Sequence, residues 1–295
     1  MADTTGEADL RKEYVDGAVK AVALMEYKLK TLCSIDTSGA WTESYYRETN
    51  SELGKNATTG MTSTNIGGIP RLANFPYGEA SWTKVSALIE KYGMEGVISY
   101  EDENLNNIPM IQRTILRIGR AVSYAVDVQI AATMLADAGN TFAITGGNEW
   151  DSATVANRDP VYDILNAIQY LRADNIDALN GNGYLCLNGT DYTNLLRNSK
   201  VINNPSFKTA DVVSNGVVGQ IAGLKIMVTE ALEASTPDVA YVVVAKEAMT
   251  WKQATPLTVM QIADPGIKTT IRAFELGVCQ VPNTNAICKI TNTRA

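Results

Sequence analysis

The 295 residues are 45% hydrophobic, 19% charged and 7% aromatic, enough apolar material for a real core in one large domain or two ordinary ones, and no disordered or fibrous chain has that mix. A net charge of −7 and a pI of about 4.8 exclude a protein that neutralises nucleic-acid phosphates over its whole surface, local basic patches aside. There is no histidine, which removes the usual general base, the commonest zinc ligand and every Ser–His or Cys–His nucleophile, and so argues against hydrolases and metalloenzymes.

Residues 1–8 are polar and read as loose, without the apolar core of a signal peptide. No stretch approaches the roughly 18 apolar residues of a membrane span, so the expectation is a chain kept in a reducing cytoplasm unless something larger carries it out. From Asp9 to about Cys33 a helix is expected, with Leu10, Val15, Val19, Val22, Leu29 and Leu32 on a loose face that docks against something else.

Between Ser34 and Ser81 the chain predicts a projecting two-stranded arm. Trp41–Glu48 has strand propensity, with Trp41, Glu43, Tyr45 and Arg47 on one face and Thr42, Ser44, Tyr46 and Glu48 on the other. A Gly/Thr/Asn-rich tip over 51–68 contains Lys55 and Met61, and Ile69–Tyr77 is the expected return strand. Pro70 and Pro76 keep that segment out of a sheet interior. Such a hairpin buries too little to stand alone in water, so its aromatics Trp41, Tyr45, Tyr46, Phe75 and Tyr77 imply docking on another surface.

Alternating apolar character returns with Val85, Ala87, Ile89 and Val97, and Glu101-Asp102-Glu103 leads into one helix over 108–138. Pro109 stands in its first turn and Gly139-Asn140 stop it. Ile111, Ile115, Ile118, Val122, Ala125 and Val126 form its apolar stripe; Arg113, Arg117 and Arg120 form a basic stripe beside it, read as a subunit contact. At 1.5 Å per residue the rod is about 46 Å long, nearly the roughly 50 Å width of a globule this size. A helix that crosses the whole body suggests a flat or elongated subunit built to meet neighbours.

The second region opens on Asp159-Pro160, an N-cap and first-turn proline for a helix carrying Val161, Ile164, Leu165, Ile168 and Leu171. Strands follow at 183–187, 224–228 and 238–244, with a short helix over 192–196. The apolar run of 238–244 belongs in the middle of its sheet. Strands near 257–262, 269–281 and 286–290 close the chain, turning on Asp264-Pro265-Gly266 and Pro282-Asn283. Cys33, Cys186, Cys279 and Cys288 contain no C-x-x-C pair and read as reduced, packed thiols. If Pro282–Asn285 is a turn, Cys279 and Cys288 lie opposite each other on adjacent strands.

The sequence carries few chemical motifs. There is no G-x-S-x-G elbow, P-loop or H-E-x-x-H motif, and Gly146-Gly147 and Gly216/Gly219 lack dinucleotide spacing and read as turns. The carboxylates at 101–103 suit a helix N-terminus without catalysis. Asn56 and Asn188 match a glycosylation pattern that carries no meaning without secretion. Lys55 at the arm's tip would need a nearby carboxylate base to form an isopeptide bond with a neighbour; none is identifiable, and it reads as an ordinary exposed lysine.

In that order of elements the chain resembles tailed-bacteriophage major capsid proteins of the Hong Kong 97 fold. The resemblance is carried by Tyr92-Gly93 through Ser99-Tyr100-Glu101-Asp102 feeding the long helix, and by the ending Arg272–Val278, Val281-Pro282-Asn283 and Cys288-Lys289-Ile290. It implies an α+β fold with an N-terminal arm (1–36), an E-loop hairpin (37–81), a peripheral domain with the spine helix (82–139), a mixed α/β axial domain (140–256) and peripheral C-terminal strands (257–295). It further implies pentamers and hexamers closing an icosahedral shell in a virion, assembled in the host cytoplasm, with no cofactor, metal site, catalytic residue or membrane. Double-stranded DNA would be held only by loose contact, with scaffolding, portal and decoration proteins as further partners. The sister-contact candidates are Trp41, Tyr45, Tyr46, Arg47, Arg71, Phe75, Tyr77, Arg113, Arg117, Arg120, and Asp264 with Lys268 in the loop that relatives bring to three-fold contacts. Many relatives carry a long N-terminal scaffolding segment; with some 36 residues before the E-loop, a separate scaffolding protein or none is expected here. Encapsulin shells share the fold and are the nearest rival. A histidine-free enzyme or ligand-binding domain in 140–256 is the rival of another class.

Overall fold

The computed structural model describes residues 27–48, 69–75, 82–105, 110–202, 219–235 and 238–295, together with Val19. The expected helix over 9–26 (apart from Val19, helical and buried), the arm's tip with Lys55, Tyr77, Gly216 and the helix start at Ile108-Pro109 lie outside those residues.

Leu29–Leu32 is a 3-10 turn rather than the end of an α-helix. It leads into β1 (Ser34–Thr37), followed by β2 (Thr42–Glu48), β3 (Trp82–Leu88) and β4 (Glu90–Ser99). β2 pairs antiparallel with β3, in a register from Thr42↔Leu88 to Glu48↔Trp82, and not with Ile69–Tyr77. Of that expected return strand, Ile69–Phe75 is irregular and turns at Leu72, φ 69°. Proline supplies the reason: Pro70 and Pro76 remove ladder donors, whereas 82–88 has none and alternates regularly.

The expected long helix is present, and a short one precedes it. Glu101-Asp102-Glu103 sit inside α1 (Tyr100–Leu105), ahead of α2 (Met110–Asp137). α2 has 28 residues, about 42 Å at 1.5 Å each. Ile115, Ile118, Val122, Val126, Ile130 and Met134 are buried along one side of it, while Ala125 and Ile111 are only partly covered. Gly139 ends it where nothing larger fits, since a Cβ would lie 2.7 Å from the Thr284 carbonyl oxygen.

The second region contributes β5 (Asn140–Ala143), α3 (Pro160–Ala173), β6 (Gly183–Leu187), α4 (Gly189–Arg197) and α5 (Ser199–Ile202). β7 (Gln220–Ile221), β8 (Leu224–Val228), α6 (Ala231–Ser235) and β9 (Val239–Val244) follow, and the chain ends with β10 (Thr250–Asp264), β11 (Lys268–Gln280) and β12 (Ile287–Thr291). Asp159 caps α3 as its spacing predicts, accepting from Tyr162 N at 3.2 Å ahead of Pro160. Asn188, one of the glycosylation matches, is a buried cap of α4, accepting from Asp191 N at 2.7 Å.

β1-β10-β11-β4 form one sheet and β5-β12-β9-β6-β8-β7 a second, mixed one. β9 is interior and buried at every position, as its apolar run requires. α2 packs on β4 and β11 of the first sheet and also meets α6, the short helix between β8 and β9. β12 leaves β11 through a 3-10 turn at Thr284–Ala286 and pairs with β5 and β9. Cys279 and Cys288 therefore stand in different sheets and do not face each other. All four cysteines are free and buried, and burial pushes the Cys186 and Cys288 thiols up to about 12.

Candidate inter-subunit surface

The β2–β3 ribbon has two unlike faces, and the register decides which is which. Thr42, Ser44 and Tyr46 share a face with Leu88, Ser86, Lys84 and Trp82, all exposed. Tyr46, Trp82 and Leu88 are 62%, 59% and 61% exposed, and Trp41 just before β2 is 73% exposed. Glu43, Tyr45 and Arg47 with Val85 and Ala87 are half-buried on the other face, toward the chain's own body. Of the candidates on this ribbon, Trp41 and Tyr46 are therefore free to meet a neighbour. Tyr45 and Arg47 are engaged at home: Arg47 makes a 2.9 Å ion pair with Asp137 and donates to the Tyr45 hydroxyl.

Sequence reading missed Trp82 and Leu88. The signal was their same-face spacing with Lys84 and Ser86, and it becomes meaningful only once 82–88 is known to be the partner of β2. Arg71 and Phe75 are exposed beside a fully exposed Leu72. Arg113, Arg117 and Arg120 line the solvent side of α2, opposite its buried isoleucines. Asp264 and Lys268 face each other across the exposed β10–β11 tip, where Gly266 takes φ +75° and Ile267 projects. The exposed candidates among the described residues are thus spread over four separate features, the ribbon, 69–75, α2 and the β10–β11 tip, and are not gathered into one pocket.

Two buried carboxylates hold the segment that precedes β1, and the sequence reading missed both. Asp127 on α2 accepts from Lys28 N at 2.8 Å and Lys30 N at 3.1 Å. Glu275 on β11 accepts from the Tyr27 hydroxyl at 2.6 Å and Trp251 Nε1 at 2.9 Å, and it pairs with Lys30. Desolvation raises Asp127 above the ordinary carboxylate range, and raises the Tyr27 phenol with help from Glu275. An Asp inside an apolar helical stripe and a Glu inside a buried strand were the available signals.

Within 140–256 two more carboxylates are strongly shifted. Burial pushes Asp163 and Asp191 each up to about 6. Perturbed acids of this kind can mark catalysis, but here both are occupied by structure. Asp163 accepts from Trp150 Nε1 at 2.9 Å; Asp191 accepts from Thr293 Oγ1 at 3.0 Å and faces Arg294 Nε at 3.5 Å. Among the described residues no group of three or more Cys, Asp or Glu could hold a metal ion, and no helix is long and apolar enough to cross a membrane.

The family model described as phage capsid protein matches residues 82–290. The chain belongs to the phage capsid protein family. It is a structural capsid shell protein and a virion component, and its fold is the Hong Kong 97-like capsid fold. The capsid of the cyanophage P-SCSP1u superposes with a TM-score of 0.67 at 14% identity, over 90% of this chain and 88% of that one. The structure of Mycobacterium phage Che8 gives 0.64 at 15%, over 90% and 92%. The virus-like particle from Pyrococcus furiosus gives 0.62 at 13%, over 94% and 98%. At such identities the likeness is one of fold. No curated protein matches the sequence.

Proposed function

We propose that this is the major head protein of a tailed phage, closing as pentamers and hexamers into an icosahedral shell around double-stranded DNA. The observation that carries the reading is the outward ribbon face: Tyr46, Trp82 and Leu88 stand exposed along it among Thr42, Ser44, Lys84 and Ser86, with Trp41 exposed at its root, and none of these is covered by the described residues. Large aromatic and aliphatic side chains held in solvent along one face of a ribbon suit a contact surface, where aromatics are enriched. A sister subunit beneath the ribbon would bury it, and repetition around a closed shell would add many modest contacts. The role needs neither catalysis nor a cofactor. On this reading the first sheet with α2 is the peripheral domain, 140–256 the axial domain, and Asp264–Lys268 the three-fold contact, with assembly in the host cytoplasm and loose DNA contact.

Negative-stain microscopy and sedimentation of the purified protein test this. Shells or capsomer-sized species are expected. W82A combined with Y46A should abolish closed shells while leaving the subunit's melting temperature within about 2 °C, because both side chains are exposed in the free chain. A monomer indifferent to these changes would end the proposal. The likeness to the Pyrococcus furiosus particle keeps an encapsulin-type shell as the second reading. Particles purified from the native source discriminate, since a phage head holds DNA and a nanocompartment holds protein.

A further inference from the structure

A helix C-terminus carries about half a negative charge, so a carboxylate there is unfavourable unless a cation meets it. α2 ends on Asp137 and its last turn holds no basic residue. The cation comes from the arm: Arg47 on β2 places Nη2 2.9 Å from Asp137 Oδ2. Both side chains are largely covered, at 18% and 27% exposure, so solvent and salt screen the pair less than an open one. The same guanidinium donates from Nε to the Val281 carbonyl at 3.2 Å and from Nη2 to the Tyr45 hydroxyl at 2.9 Å. A planar fork serving three partners fixes direction as well as distance.

Among the described residues, no other side chain of β2 or β3 hydrogen-bonds or ion-pairs with α2, β11 or the residues just beyond them. The rest of the ribbon's inner face rests on the body by packing, with Tyr45, Val85 and Ala87 half-buried and β3 against β11, while at its root Ile89 N ties the two strands together through Trp41 O at 3.0 Å and Ser38 meets Glu43. Packing of that kind does not by itself fix an angle, and Arg47 sits toward the end of β2 away from the root. Seven residues of β2 span about 23 Å, so a rotation of about 10° at the root moves the far end by about 4 Å. Apolar packing is lost over a far smaller gap than that.

We propose that Arg47 is the positioning residue of the arm: clamped between Asp137 and the Val281 carbonyl, it sets the angle at which the ribbon leaves the body, and so where the Tyr46–Trp82–Leu88 face meets a sister copy. The inference rests on the sister-contact reading above. It assigns that reading's geometry to one charged contact at the end of α2.

The test compares R47Q, R47K, D137N and the R47Q/D137N double variant with the unmodified chain. Two readouts are taken: shell diameter by electron microscopy, and the distance between spin labels on S86C and A136C in the unassembled subunit. Both labelled positions are exposed, and the four native thiols are buried. R47Q and D137N should each broaden the label distance and replace uniform shells with mixed diameters or open sheets. The double variant should be no worse than either single one. R47K should fall between, since an ammonium can neutralise Asp137 but cannot also hold the Val281 carbonyl. If the variants only lower the melting temperature, with label distance and diameter unchanged, the pair is merely structural and the proposal is overturned. D137N keeps the shape of the side chain and so guards against misfolding. Should the unmodified chain form no shells, the sister-contact reading fails, while the label distances still decide whether Arg47 sets the arm.

Discussion

The buried acids of the second region show how one residue's environment reverses the usual effect of pH. Asp163 and Asp191 titrate near 6 in the fold, and burial is the largest cause for both; in an unfolded chain an Asp titrates near 3.9. A folded value above the unfolded one means that the native state binds the proton more tightly. Its stabilising contribution is therefore complete below about pH 4 and is lost as pH rises through about 6. A shift of about two units corresponds to roughly 2–3 kcal/mol per carboxyl lost at neutral pH, as an order of magnitude. The subunit should melt at a higher temperature at pH 5 than at pH 8. D163N keeps an acceptor for Trp150 Nε1 and carries no charge, so it should stabilise the chain at pH 8 by about 1–2 kcal/mol and flatten the profile. Thermal unfolding across that range checks it, and an unchanged slope in D163N would show that Asp163 is not the titrating group. For the acids of the N-terminal seat the sequence offered a hint of burial but not the partner. Asp127 and Glu275 are defined by partners 97 and 245 residues away at Lys30, and no local pattern announces such pairs.

Elements whose logic is local could be read directly. The apolar stripe of α2, the Asp159-Pro160 start of α3 and the buried run of β9 follow from spacing, capping and burial over a few residues. Pairing is not local, and there the reading went astray. Choosing 69–77 over 82–88 as the partner of β2 left the outward face of the ribbon unidentified, and the conditional pairing of Cys279 with Cys288 fails because β12 joins the other sheet. The seat of α2 on β4 was also hidden, because it depends on a glycine whose meaning lies across the packing. A Cβ on Gly96 would fall 2.4 Å from Thr114 Cγ2 and 3.0 Å from Ile118 Cδ1. G96A should therefore lift the helix from the strand and destabilise the subunit by about 1–3 kcal/mol. T114S removes the nearer methyl, so G96A/T114S should recover part of that loss in denaturant unfolding. Equal effects of G96A with and without T114S would place the strain elsewhere.

At the scale of the whole molecule, charge and apolar surface pull assembly in opposite directions. Every copy carries −7, so bringing copies together in a shell is opposed by repulsion. That repulsion reaches roughly 30 Å at 0.01 M salt, comparable to the subunit itself, and only about 8 Å at 0.15 M. The contact proposed for the ribbon is aromatic and aliphatic, and salt does not weaken the burial of Tyr46, Trp82 and Leu88. If that contact drives closure, the protein concentration needed to form shells should fall steadily as salt rises across this range. The exposed arginines of α2 predict the opposite. Should Arg113 and Arg117 form the main bonds to a sister's acids, screening would weaken them and the threshold would rise with salt. Sedimentation of stepped dilutions at each salt concentration separates the two, because one driving force gives a falling threshold and the other a rising one. Repeating the series with W82A assigns the slope: losing Trp82 from the ribbon face should raise the threshold at every salt concentration and leave its salt dependence in place.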